Sequence, residues 1–155
     1  MLFALCVIVA IASIPRVTVV TATDLTTGRV ILCAPAQPIT LLFTHSMYGG
    51  DVEETFVPRP DGRITRIEMT TANEAAAEYY AYTAPVIRDG DRFRLDIPPA
   101  AFEEVIVRVD AVGRHRLKVA GTEIDLLEAT GDKHRVKLDS ANVTIVDRLT
   151  GHGCR

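Results

Sequence analysis

The 155-residue sequence contains no P-loop, no dinucleotide fingerprint and no Gly-x-Ser-x-Gly elbow. Nucleotide-dependent chemistry and α/β-hydrolase chemistry therefore lose their usual signatures. There is no basic stripe either. Lys and Arg number 17 against 20 Asp and Glu, giving a formal net charge of -3, and a nucleic-acid footprint is missing. The densest basic stretch, Arg114-His115-Arg116, lies on an apparent strand and reads as a solvated face. No apolar run is long enough to span a membrane as a helix, which takes about 20 residues. The longest, Met1 to Ile14, carries no charge and ends at Pro15-Arg16. It has the length of a signal-peptide h-region, and Ala10-Ile11-Ala12 is a small-x-small site predicting cleavage before Ser13. No Lys or Arg precedes it. Residues 1–12 are thus expected to be a signal peptide or a short N-terminal anchor, with the protein exported to the periplasm or another extracytoplasmic space.

Cysteine is scarce, with three in all. Cys6 lies inside the uncharged run, and Leu5 before it is too large for lipoprotein processing. Cys33 and Cys154 remain. An oxidising compartment would allow them to pair, and a bridge closing so long a loop contributes roughly 4–5 kcal/mol in the chain-entropy model. Cys154 falls in the tail Gly151–Arg155, which reads as flexible. Two thiols are the expectation, because spacing alone does not supply disulfide geometry.

What the chain does have is alternation. Its length suits one domain, placed at 13–150, and its 48% apolar and 24% charged residues are ordinary for a globular protein. Val17 and Val19 share a face, as do Ile39, Leu41 and Phe43. The same period of two returns at Phe93–Ile97, Val105–Val109, Leu117–Val119 and Val136–Leu138, and Val143 and Ile145 close the series. Short runs with this period are half-buried strands. Turn residues stand between them, and Asp61-Gly62 marks a hairpin between Glu53–Val57 and Arg63–Met69. The alternation slips between Ile64 and Ile67, which predicts a β-bulge. The predicted fold is all-β: a two-sheet antiparallel β-sandwich, immunoglobulin-like or jelly-roll-like, of about ten strands.

One segment breaks the period. Thr71 to Pro85 is alanine-rich, with Asn73 placed to cap a single short helix or lid near 74–82. It carries Tyr79, Tyr80 and Tyr82, and the fourth tyrosine, Tyr48, lies in the loop Met47–Asp51. If loop and helix meet at one end of the sandwich, the four tyrosines form a partner-binding patch, since tyrosine offers apolar area and a hydroxyl.

Thr44-His45-Ser46 is the most chemically suggestive tripeptide. His45 continues the face of Ile39, Leu41 and Phe43, His115 that of Leu117 and Val119, and His134 that of Val136 and Leu138. Core histidines are normally hydrogen-bonded. Neighbours on a strand point to opposite faces, so His45 is poorly placed as a base for Ser46, whose hydroxyl suits turn capping. Glu54, opening the next strand, is expected to meet His45 across the hairpin. His45, Glu54 and His115 show no recognised metal spacing. No catalytic residue, metal or cofactor is assigned.

Ile39-Thr-Leu-Leu-Phe-Thr-His-Ser46, then Val52-Glu-Glu-Thr-Phe56 and Asp61-Gly62, resembles the signature of the domain-of-unknown-function family 1850. His115-Arg-Leu-Lys-Val-Ala-Gly121 resembles that family's His-x-Leu-x-Val-x-Gly hairpin. The likeness runs from about Val30 to Leu126, although Asn73–Tyr80 replaces a Gly-rich family segment. The motif residues map to His45, Ser46 and Glu54, and more loosely to His115. The resemblance implies a small exported, non-enzymatic accessory protein. Its partner would be the permease or solute-binding protein of a TRAP-type organic-anion transporter at the membrane. The alternative is a small-ligand or metal-binding sandwich with hydrolytic chemistry at His45, Ser46 and Glu54.

Overall fold

The computed structural model describes residues 16–149 and Cys154. The expected signal or anchor at 1–12 and most of the 151–155 tail lie outside the described residues. The alternating runs become strands: β1 Arg16–Asp24, β2 Val30–Pro35, β3 Ile39–Thr44, β4 Asp51–Pro58, β5 Ile64–Thr71, then α1 Glu74–Ala81. There follow β6 Val86–Asp89, β7 Arg92–Leu95, β8 Ala100–Phe102, β9 Val105–Arg108, β10 Arg116–Val119 and β11 Thr122–Asp125. The chain continues through α2 Leu126–Thr130, β12 Arg135–Thr144 and α3 Ile145–Leu149.

Two antiparallel sheets result. The smaller has the order β2-β1-β12-β9, and the larger runs β11-β10-β3-β4-β5-β7-β6 with β8 added to β5. This is the all-β, two-sheet architecture that the alternation predicts. Their facing sides supply one core, with Val20, Ala22, Val136 and Leu138 meeting Ile39, Leu41, Phe56 and Leu117. Burial of each Val, Leu, Ile or Phe side chain among them stabilises the fold by roughly 1.5–3 kcal/mol. A second core forms where Val52, Met69 and Leu95 meet Ala77 and Ala81 of α1. The methyl side chains let the helix lie close on the sheet. Phe43 touches both cores.

The bulge sits where the alternation slips. Thr55 pairs with Glu68 and Phe56 with Arg66, so Ile67 has no opposite number. Asn73 caps α1 by accepting from Ala76 N at 3.2 Å. Other expectations fail. On β1 Val20 and Ala22 belong to the inter-sheet core, while Val19 is also fully buried and Val17 half-buried, so the strand is covered on both faces rather than alternating. Two five-residue helices, α2 and α3, join the single helix expected. Ile145 opens α3 rather than ending a strand, because Thr144 Oγ1 accepts from Asp147 N at 3.0 Å and starts a helical turn.

Cys33 and Cys154 do not remain thiols. They form a disulfide, with Cα atoms 5.8 Å apart across 121 residues. Cys154 lines the same surface recess as Thr21 and Val30 of β1 and β2. Only this long-range return of the chain brings the sulfurs together, which is why spacing did not reveal it.

Candidate functional site

β3 ends at Thr44, and a six-residue turn leads to β4. Its frame is backbone: His45 N donates to Gly50 O at 3.0 Å, and Gly49 N to His45 O at 2.9 Å. The His45 ring then folds over the turn. Its Nδ1 accepts from Met47 N at 3.2 Å and Tyr48 N at 3.1 Å. An accepting Nδ1 places the ring proton on Nε2. His45 is 6% exposed. The capping role expected of Ser46 thus falls to His45, and Ser46 stands at the rim of a cleft.

The turn and α1 meet at one end of the sandwich. Asn73 Nδ2 donates to Tyr48 O at 2.9 Å while its Oδ1 caps the helix. Gly50 permits this approach: at φ +78, a Cβ there would stand 2.7 Å from the Asn73 Cβ. Three tyrosine rings consequently surround His45, with centroids at 5.1 Å for Tyr48, 5.2 Å for Tyr79 and 5.3 Å for Tyr80. Tyr48 and Tyr79 are exposed, as is Met47 beside them. Tyr82 does not join. It ends α1 at φ 52 and points to solvent, 88% exposed.

Glu54 and His45 do not meet. The register sets Glu54 opposite Leu41, four residues along β3 from His45. The turn takes up the residues that a tighter hairpin would have paired. Glu54 instead holds Arg66 across β4 and β5, Oε1 to Nη1 at 3.0 Å. Arg66 also lies over the Phe102 ring, 5.9 Å from its centroid.

Glu54 belongs to the floor of a cleft of about 360 Å³. Leu41 and Phe43 complete that floor, Val105 to Arg108 of the edge strand β9 form one wall, and Tyr80 and His115 close other sides. Burial pushes the Tyr80 hydroxyl pKa up, and the Glu54 charge and Tyr79 add to it. His115 stacks on Phe43 at 5.9 Å and 24°. Its Nδ1 is buried and has no hydrogen-bond partner. Burial holds the His115 pKa below its ordinary value, with Asp110 opposing. Gly113 makes room for the ring, because a Cβ there would stand 2.2 Å from His115 Cε1 and force the imidazole to move.

His134 lies elsewhere. Its Nδ1 is 3.0 Å from Asp24 Oδ2, and Asp24 also accepts from Thr26 N and Thr27 Oγ1. Among the described residues, no three His, Cys, Asp or Glu side chains gather as a metal site, so His45, Glu54 and His115 are not assembled as one.

These features define a class: an antiparallel β-sandwich with an aromatic, partly exposed end beside a small inter-sheet cleft. Comparison with protein-family models, curated proteins and solved structures finds no match.

Proposed function

We propose that the chain is an exported, non-enzymatic accessory protein that docks through its tyrosine-bearing end to a partner outside the cytoplasmic membrane. The observation that carries this reading is the convergence of Tyr48, Tyr79 and Tyr80 on His45, with Met47, Tyr48 and Tyr79 left open to solvent. Contiguous exposed aromatic area is costly in water and is typical of interfaces. The Cys33–Cys154 disulfide supports an oxidising compartment, hence export. The resemblance to the family 1850 signature adds the partner: a permease or solute-binding protein of a TRAP-type organic-anion transporter.

The polar groups also support binding over hydrolysis. His45 Nδ1 is occupied by two backbone amides, and Glu54 is held by Arg66. Neither is placed to activate the Ser46 hydroxyl, which needs a base within about 2.6–3.2 Å.

The test is capture from solubilised membranes of cells that carry the transporter. Tyr48→Ser with Tyr79→Ser is expected to weaken recovery of the permease or the solute-binding protein about tenfold, as loss of central interface aromatics does. Its melting temperature should stay near the parent's, because both rings are exposed. Tyr80 is left intact because it is half-buried against the second core. Equal recovery by the double variant refutes the docking surface. A second reading, small-ligand binding, is favoured by the cleft beside this end.

A further inference from the structure

Three aromatic side chains form a corner of the cleft. Phe43 and Tyr80 stand at 90° with centroids 6.4 Å apart, and His115 lies nearly parallel to Phe43. Two carboxylate residues flank the corner, Glu54 on the floor and Asp110 near His115. Glu54 gives one oxygen to Arg66. Among the described residues its other oxygen has no hydrogen-bond partner. The Glu54 field reaches the Tyr80 hydroxyl and the Asp110 field reaches His115. Both fields are negative. His115, biased toward its neutral form by burial, does not oppose them.

The positive groups are turned to other work. Arg66 is tied to Glu54 and covered by Phe102. Arg108 also lines the cleft, but from the exposed side of β9, where solvent screens its charge. An anionic ligand would therefore enter against two carboxylates. A cation would meet ring faces and an unfilled carboxylate oxygen, the combination that recognises organic ammonium groups. The apolar wall from Val105 to Val107 and the volume of about 360 Å³ accommodate a flat hydrocarbon group attached to that cation.

We infer that the cleft binds a small organic ammonium ion carrying an apolar, preferably aromatic, group. The inference rests on the small-ligand reading of the same cleft. Its charge preference separates the two in experiment. The probes are 2-phenylethylammonium, its carboxylate counterpart 3-phenylpropionate and the neutral 2-phenylethanol, titrated into the folded protein by calorimetry and amide chemical-shift mapping. The ammonium is expected to bind about tenfold or more tightly than either counterpart, a preference worth about 1.4 kcal/mol. Shifts should centre on Phe43, Glu54, Tyr80 and His115. Glu54→Gln should erase the preference. Should Glu54→Gln unfold the protein, Ser46→Trp serves instead: it adds bulk at an exposed rim position and should exclude the ammonium from a folded domain. Tighter or equal binding of the carboxylate in the cleft overturns the inference and leaves the small-ligand reading standing. Shifts confined to residues outside the cleft, or no binding of any probe at millimolar concentration, overturn both.

Discussion

His134 and His115 occupy matching places in the sequence. Each stands one residue ahead of a strand, His134 before β12 and His115 before β10, and each continues that strand's buried face. The structure treats them oppositely. His134 finds Asp24, which is 1% exposed and takes further hydrogen bonds from Thr26 and Thr27. His115 finds Phe43 and the Gly113 backbone, and its Nδ1 stays unpaired beside an open cleft. A buried polar group with its partners in place holds a fold together. One without partners costs stability, about 1–3 kcal/mol, and a structure tolerates that cost most readily where a ligand or partner can act. The side of the sandwich built from β1, β2 and β12, with its Asp24–His134 hydrogen bond and its disulfide, is the braced side. The side built from β3, β4, β9 and α1 is the open one.

The largest expected effect tests the bracing. Replacing Cys33 and Cys154 by Ser opens a loop of 121 residues and should lower unfolding free energy by roughly 4 kcal/mol in the chain-entropy model. Denaturant titration of the oxidised parent against the double variant measures it. A loss below about 1 kcal/mol would mean that β2 is held by its ladder with β1 alone.

The next effect lies in the acid limb. Burial pushes the Asp24 carboxyl up, but the bonds from Thr27, Thr26 and His134 outweigh it and hold the pKa at about 2, below the ordinary 3.8. The folded value is depressed, so the stability it confers is present above about pH 4. It is lost as pH falls toward 2, where the folded protein also takes up the proton. The difference of nearly two units corresponds to about 2 kcal/mol. Asp24→Asn should be less stable at pH 7 and should lose this slope between pH 4 and pH 2. Parallel acid profiles for parent and variant would remove Asp24 from the braced side.

How much of this was legible follows from the range of each interaction. Period-two alternation is local, and it revealed most strands, the bulge at Ile67 and the sandwich itself. The Asn73 cap is local too, and it placed α1. The T-x-x-D signal of Thr144 and Asp147 marks the start of α3 and competes with the strand-like alternation of Val143 and Ile145. The meeting of the Tyr48 loop with Tyr79 and Tyr80 was legible only as a condition, because Asn73 Nδ2 and Gly50 join segments more than 20 residues apart. The Glu54 position failed on register. Moving the start of β4 by the length of the turn changes every cross-strand partner. Cys154 and the Asp24–His134 pair depend on separations of more than 100 residues, which no local pattern encodes.

The smallest expected effect is also the sharpest test of the comparison, because its sign differs from the others. His115→Leu removes a ring whose Nδ1 makes no hydrogen bond and substitutes an apolar side chain against Phe43. Removing an unsatisfied buried group can be neutral or stabilising, whereas Asp24→Asn breaks satisfied bonds. At pH 8 the variant should therefore lie within about 1 kcal/mol of the parent. The pH dependence then separates the causes. Burial depresses the His115 pKa below its unfolded value of 6.5, so below that pH the unfolded chain takes up a proton that the folded chain resists. The parent loses stability as pH falls from about 6.5 toward the folded value. His115→Leu carries no such group, so its stability relative to the parent should rise between pH 7 and pH 5. Denaturant midpoints at pH 8, 6.5 and 5 measure the difference directly. The comparison breaks if the variant is several kcal/mol less stable at pH 8. His115 would then be a satisfied residue as His134 is, and the open side of the sandwich would be closed around it.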